Sequence, residues 1–124
     1  MGIEAAAFCR HWVDAWNRHD VDAVLEHFHD DVVFTSPVAA AMFPHTEGKV
    51  HGKIDLRRYW TAAVQRRTDL HFVLEDVYQG VDILVINYRN QTGGLVNEVL
   101  RFDNDLVVEG HGTYLIGDRM RLAD

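Results

Sequence analysis

Residues 95–116 read LVNEVLRFDNDLVVEGHGTYLI. A strand points successive side chains to opposite faces, so this stretch divides into two alternating runs around Asp103, Asn104 and Asp105. In the first run Val96, Leu100 and Phe102 share a face with Glu98, while Leu95, Asn97, Val99, Arg101 and Asp103 take the other. In the second, Leu106, Val108, Gly110, Gly112, Tyr114 and Ile116 form the apolar register, and Val107, Glu109, His111 and Thr113 the polar one. Assigning both apolar registers inward carries one carboxylate, Glu98, to the core side of this strand. A three-residue turn over 103–105 sets Glu98 opposite Gly110, which has no side chain and leaves room beside an acid. A two-residue turn at Asn104-Asp105, residues that tolerate positive φ, sets Glu98 opposite His111 and makes an acid–base pair within reach.

Two more strand-like runs, 70–79 and 82–91, precede this pair, separated by Gly80-Val81 and by Thr92-Gly93-Gly94. Turns this short make the four runs a consecutive antiparallel meander with one face to cover. The cover lies upstream. Over 3–18 the residues Phe8, Trp12, Val13 and Trp16 recur at spacings of three and four and line one side of a helix. Asp20 has the chemistry of an N-cap for a second, short helix with Val24, Leu25 and Phe28 on its apolar side. From Val32 the run VVFTS reads as a short strand, stopped by Pro37. Residues 38–53, VAAAMFPHTEGKVHGK, keep neither period and read as a long loop of the kind that often acts as a lid. Helical spacing returns through Leu56, Tyr59, Trp60, Ala63 and Val64, with Arg57, Arg58, Arg66 and Arg67 on the wet side. The tail Asp118–Asp124 is expected to fray.

The reading is a single α+β domain over 1–124: a cone-shaped, curved, mostly antiparallel sheet wrapped around three N-terminal helices, with an apolar pocket between. A chain of 124 residues, 48% hydrophobic and 25% charged, suits one packed core. A net charge of −7 opposes nucleic-acid binding. The single cysteine, Cys9, excludes an internal disulfide and a Cys-based zinc site, and on an apolar helix face it reads as an inert buried thiol. The eight histidines follow no ligand spacing of a known metal class, so neither metal nor cofactor is expected. No run approaches the roughly 20 apolar residues of a membrane span; without a secretory-type start either, a cytoplasmic location is the expectation.

The stretches FCRHWVDAWNRHDVDAVLEHFHDDVVFTSP (8–37), HGKIDLRRYW (51–60), LHFVLEDV (70–77) and NEVLRFDNDLVVEGHGTY (97–114) together resemble the nuclear-transport-factor-2-like superfamily, in its SnoaL-like and ketosteroid-isomerase-like branches. The resemblance implies a cystatin-like α+β barrel that holds a small apolar molecule in its cone and forms homodimers through the outer sheet face. Val73, Val85 and Val99, assigned to that outer face, point the same way. Members include isomerases, hydrolases and cyclases, so fold alone does not fix activity. Ketosteroid isomerases carry an aspartate base where this chain has Ser36, and a helix-borne tyrosine where it has Trp12. Glu98 falls where they keep a carboxylic acid neutral in apolar surroundings. A serine cannot be that base, so steroid isomerisation by that route is not implied. SnoaL-like cyclases place an acid or histidine on the last strand as base, a role open to His111 in the two-residue-turn register.

The expected site is Glu98 and His111 as catalytic groups, with Trp12, Trp16, Ser36, Tyr59 and Tyr114 lining the pocket. The expected chemistry is an isomerase, hydratase or cyclase-like reaction on a small apolar or carbonyl-bearing molecule. The alternative is a non-catalytic ligand-binding or dimerisation module.

Overall fold

A computed structural model describes residues 4–117, so the expectation for Asp118–Asp124 lies outside the described residues. Helix α1 (Ala5–Asn17) starts after Glu4, whose carboxylate accepts from the backbone N–H of Ala6 and Ala7. It ends where His19 turns left-handed, at φ 57°, and Asp20 N–H donates back to Ala15 O at 2.9 Å. Asp20 then caps α2 (Val21–Leu25), its Oδ1 accepting from Ala23 N–H at 3.0 Å. Next come β1 (Phe28–Thr35), α3 (Pro37–Met42), a 3₁₀ turn (Pro44–Thr46), β2 (Lys49–His51) and α4 (Lys53–Arg66). The meander follows as β3 (Val73–Gln79), β4 (Ile83–Arg89), β5 (Leu95–Asp103) and β6 (Leu106–Tyr114).

The six strands lie in the order β2-β1-β6-β5-β4-β3. Every neighbouring pair is antiparallel except β1 and β6, which are parallel. The α+β class and the mostly antiparallel sheet are as expected, but β2 and β3 are free edges and the sheet is open, not a closed barrel.

Three expectations need correction. The first strand begins at Phe28, four residues before Val32, because the β1 ladder shifts between Phe28 and Val33. There His29 Nδ1 accepts from Asp31 N–H at 3.0 Å, and the exposed His-Asp-Asp run hides the strand period. The stretch 38–53 is structured rather than a loop. Ser36 Oγ accepts from Val38 N–H at 3.1 Å and Pro37 occupies the first helical turn, so the proline that ends β1 also starts α3. This gives four α-helices instead of three, and β2 pairs with β1 through Val33↔His51, Phe34↔Val50 and Thr35↔Lys49.

The third correction sets the site. Asn104 and Asp105 have φ of 50° and 65°, as a two-residue turn requires, and Asp103 pairs with Leu106. A bulge then shifts the register between Arg101 and Phe102, so that Glu98 faces Gly112, neither Gly110 nor His111. The extra residue also exchanges faces at the start of β6: Val107 is fully buried, while Leu106 and Val108 are only half-buried. Ile116 lies beyond the strand and is 62% exposed.

One sheet face packs against α1 and α4. Leu84, Ile86, Val96, Leu100 and Phe102 alternate inward from β4 and β5 and meet Phe8, Trp12, Trp16, Leu56 and Trp60 from the helices. The Trp60 ring centre is 5.0 Å from Trp16, 5.2 Å from Phe34 and 5.5 Å from Phe28. Burying a side chain of this size contributes about 1.5–3 kcal/mol, and a few such rings hold the helices on the sheet. Cys9 is buried among them, and burial pushes its thiol up to about 11, which leaves it an unreactive apolar group at neutral pH. Among the described residues no helix is long and apolar enough to cross a membrane.

Candidate functional site

Between the sheet and the helices lies a cavity of about 280 Å³. That is near the lower end of small-molecule sites and suits a ligand of one or two rings. Aromatic rings make up much of its wall. Trp12 and Trp16 come from α1, Tyr59 and Trp60 from α4, and Phe34 and Phe72 close the gaps. Phe72 packs 4.2 Å from Tyr88 and lies near-parallel to Trp12 at 5.8 Å.

Two polar side chains, Glu98 and Ser36, flank Gly112. Glu98 stands in the apolar register of β5 and is 6% exposed. Tyr88 on β4, the diagonal neighbour of Glu98 across the strand pair, donates its hydroxyl to Glu98 Oε1 at 3.3 Å. A Cβ built on Gly112 would sit 3.5 Å from Glu98 Oε1 and 3.6 Å from Ser36 Oγ. The carboxyl and the serine hydroxyl thus flank one small space, which is open because position 112 has no side chain. Tyr59 Oη donates to Ser36 Oγ over a long 3.5 Å. Tyr114 shares the face of Glu98 and also lines the cavity.

Burial decides the protonation states. Desolvation pushes Glu98 up to about 7 from an ordinary 4.5, and the hydrogen bond from Tyr88 offsets only part of the rise. Burial likewise moves Tyr59 up to about 12 and raises the phenols of Tyr88 and Tyr114, so all three remain neutral donors. Near neutrality a carboxyl of this kind divides between its acid and carboxylate forms and can both give and take a proton.

A profile of the SnoaL-like domain matches residues 9–114. The chain belongs to the SnoaL-like family. One similar crystal structure is a SnoaL-like protein of unknown function from Burkholderia thailandensis, at 37% identity, a TM-score of 0.85, and 90% and 94% coverage of the two chains. Another is an NTF2-like protein from Mesorhizobium loti, at 22% identity, a TM-score of 0.68, and 90% coverage of both. A third, with a cystatin-like fold, comes from Methylobium petroleophilum, at 18% identity, a TM-score of 0.71, and 96% and 80% coverage. The last two share the fold alone. No protein of curated function matches the sequence.

Of the site residues expected from the sequence, Glu98, Trp12, Trp16, Ser36, Tyr59 and Tyr114 all line this one cavity of the SnoaL-like domain. His111 does not. It faces Val99 on the other side of the sheet, with Nδ1 2.6 Å from Thr35 Oγ1 and Nε2 3.4 Å from Glu109 Oε2. Glu109 is itself held by Arg101 at 2.9 Å, and that bond is the main cause of its lowered pKa. The expected Glu98–His111 pair is therefore not formed, because the bulge moves the imidazole to the outer face. Ser36 has two tasks, capping α3 and bordering the cavity.

Two residues that touch the acid were not singled out from the sequence. Tyr88 was legible in principle, since Leu84, Ile86 and Tyr88 alternate inward and place the phenol two residues along from the partner of Glu98. Gly112 depends on the bulge, for which the sequence carries no clear signal.

Proposed function

We propose that the cavity binds a small, mostly apolar molecule bearing a carbonyl or hydroxyl, and that Glu98 in its protonated form donates to that oxygen. One observation carries the reading: a buried carboxyl beside an open space at Gly112, in a cavity that eight aromatic side chains help to line. A protonated carboxyl aimed at a carbonyl oxygen polarises it, which fits isomerase, hydratase or cyclase-like chemistry in which one group delivers and recovers the proton. A second reading, binding without turnover, is favoured by the position of His111, which leaves Glu98 without an imidazole partner in the cavity.

The probe is 2-acetylnaphthalene, a two-ring ketone. Its affinity is expected to be constant below pH 6 and to fall as Glu98 ionises through about pH 7. In Glu98→Gln, whose amide donates at every pH, the profile is expected to be flat. A wild-type affinity independent of pH between 5 and 9 would remove Glu98 from the site. Turnover is separated from binding by whether Glu98→Gln loses rate at saturating ligand.

We also propose a homodimer through the outer sheet face, where Val73 and Tyr78 are 52% and 61% exposed beside half-buried Val85 and Val99. Sedimentation at micromolar concentration is expected to give twice the chain mass; the chain mass alone would exclude it. With one cysteine and no disulfide, the chain suits a reducing compartment, and cytoplasmic residence is part of the proposal.

A further inference from the structure

Spacing along the chain suggested no metal ligands, but it is blind to side chains that folding brings together from separate elements. His11 comes from α1, while Glu26 and His27 form the turn between α2 and β1. One ring nitrogen of each histidine and one carboxylate oxygen of Glu26 lie within 4.8 Å of one another. This is the one place among the described residues where three metal-ligating side chains converge, and none of the three lines the cavity.

The two imidazoles are held from behind. His27 O accepts from Val107 N–H at 2.7 Å, which ties the turn to β6. The His27 ring has Phe8 at 5.8 Å and His11 at 5.6 Å as ring neighbours, and Phe8 is itself set in the core, edge-on to Phe102. His11 Nε2 donates to Ala23 O at 3.1 Å and lies 3.8 Å from Glu26 Oε2. That hydrogen bond is compatible with a metal. Coordination at Nδ1 keeps it, as the backbone contact that ligating histidines commonly make; coordination at Nε2 passes the ring proton to Nδ1 and gives up this one bond. Glu26 is exposed and pairs with no lysine or arginine among the described residues, so its carboxylate can turn without breaking a stronger ion pair.

Zinc holds nitrogen and oxygen ligands at about 2.0–2.2 Å, which sets tetrahedral donors roughly 3.3–3.5 Å apart. From a largest separation of 4.8 Å the donors close by about 1.5 Å at most, within the swing of an exposed glutamate. Imidazole nitrogen suits zinc, nickel and copper, whereas magnesium and calcium prefer sites made of oxygen. The charge of Glu26, in a chain of net charge −7, favours a dication. The structure assigns to His11, Glu26 and His27 a site for zinc or a similar divalent transition metal, with water completing the coordination. Its ligands come from two parts of the fold, so the metal binds the folded chain in preference to the unfolded one and clips α1 to the entry of β1.

The experiment titrates zinc chloride into the full chain, freed of metal with EDTA and dialysed, by calorimetry at pH 7.5. Wild type is expected to bind one zinc per chain in the micromolar range, unaffected by excess magnesium, and its melting temperature is expected to rise with zinc. Glu26→Gln, an exposed change that leaves the fold intact, and His27→Gln are each expected to weaken binding by about tenfold or more and to abolish the rise. His45→Gln, outside the cluster, is expected to change neither. Absence of zinc binding in wild type would overturn the assignment. So would an affinity that survives both Glu26→Gln and His27→Gln, which would put the metal elsewhere on the chain, or binding without any rise in melting temperature.

Discussion

Gly110 and Gly112 stand two residues apart on the same strand face and have opposite reasons to lack a side chain. A Cβ at Gly110 would lie 2.9 Å from Phe34 Cδ1 and 3.1 Å from Leu100 Cδ2, inside a packed core. At Gly112 the nearest atom would be Glu98 Oε1 at 3.5 Å, an ordinary contact. Gly110→Ala is therefore expected to cost about 1–3 kcal/mol by overpacking. Gly112→Ala is expected to change stability by less than about 1 kcal/mol while weakening 2-acetylnaphthalene binding, because its methyl group intrudes on the space beside the acid. Urea denaturation and probe titration of both variants check this, and equal stability losses would contradict the division of roles. Glu98 itself was legible at this scale: an acid among Val96, Leu100 and Phe102 at a spacing of two has to face the core with them.

At the scale of elements, most of the architecture was legible and the misses share a cause. Helices α1, α2 and α4 announced themselves by spacing, and Asp20 caps α2 as its chemistry suggests. The two-residue turn at Asn104-Asp105 was one of the two alternatives the residues allowed. The bulge after it was not legible, because nothing in LVVEG distinguishes a residue that faces the core from one squeezed out of the ladder. That single insertion determines whether Glu98 meets a glycine or an imidazole. The α3–β2 segment was hidden for a related reason: Pro37 both stops a strand and starts a helix, and three residues of β2 are too few to display a period. Its place is fixed by tertiary pairing, Ser36 N–H to Gly48 O at 3.0 Å and Gly52 N–H to Val32 O at 2.7 Å, which one-dimensional periodicity cannot carry.

For the whole molecule, the raised pKa of Glu98 ties the fold's stability to pH. Below about pH 4.5 the carboxyl is protonated in both the folded and unfolded states, and its burial carries no charge penalty. Between there and about 7 the unfolded chain has released the proton that the folded chain retains, so stability falls as pH rises. Above about 7 both states are ionised and the penalty is constant. A shift from 4.5 to about 7 corresponds to about 3 kcal/mol at the plateau. Against Glu98→Gln as reference, which cancels the titration of the other groups, wild type is expected to lose stability across this window in urea melts. A difference that stays level, or one that grows in favour of wild type with rising pH, would contradict a buried acid. The same linkage joins fold and function, since a ligand that hydrogen-bonds the protonated acid binds the folded state and offsets part of the loss.

The most direct measurement is the titration of the Glu98 carboxyl carbon by NMR in protein labelled with carbon-13 at glutamate, assigned by its absence in Glu98→Gln. A midpoint near 7, more than two pH units above those of exposed glutamates, is the predicted result. A midpoint near 4.5 would mean that the side chain is solvated and that the cavity holds no neutral acid.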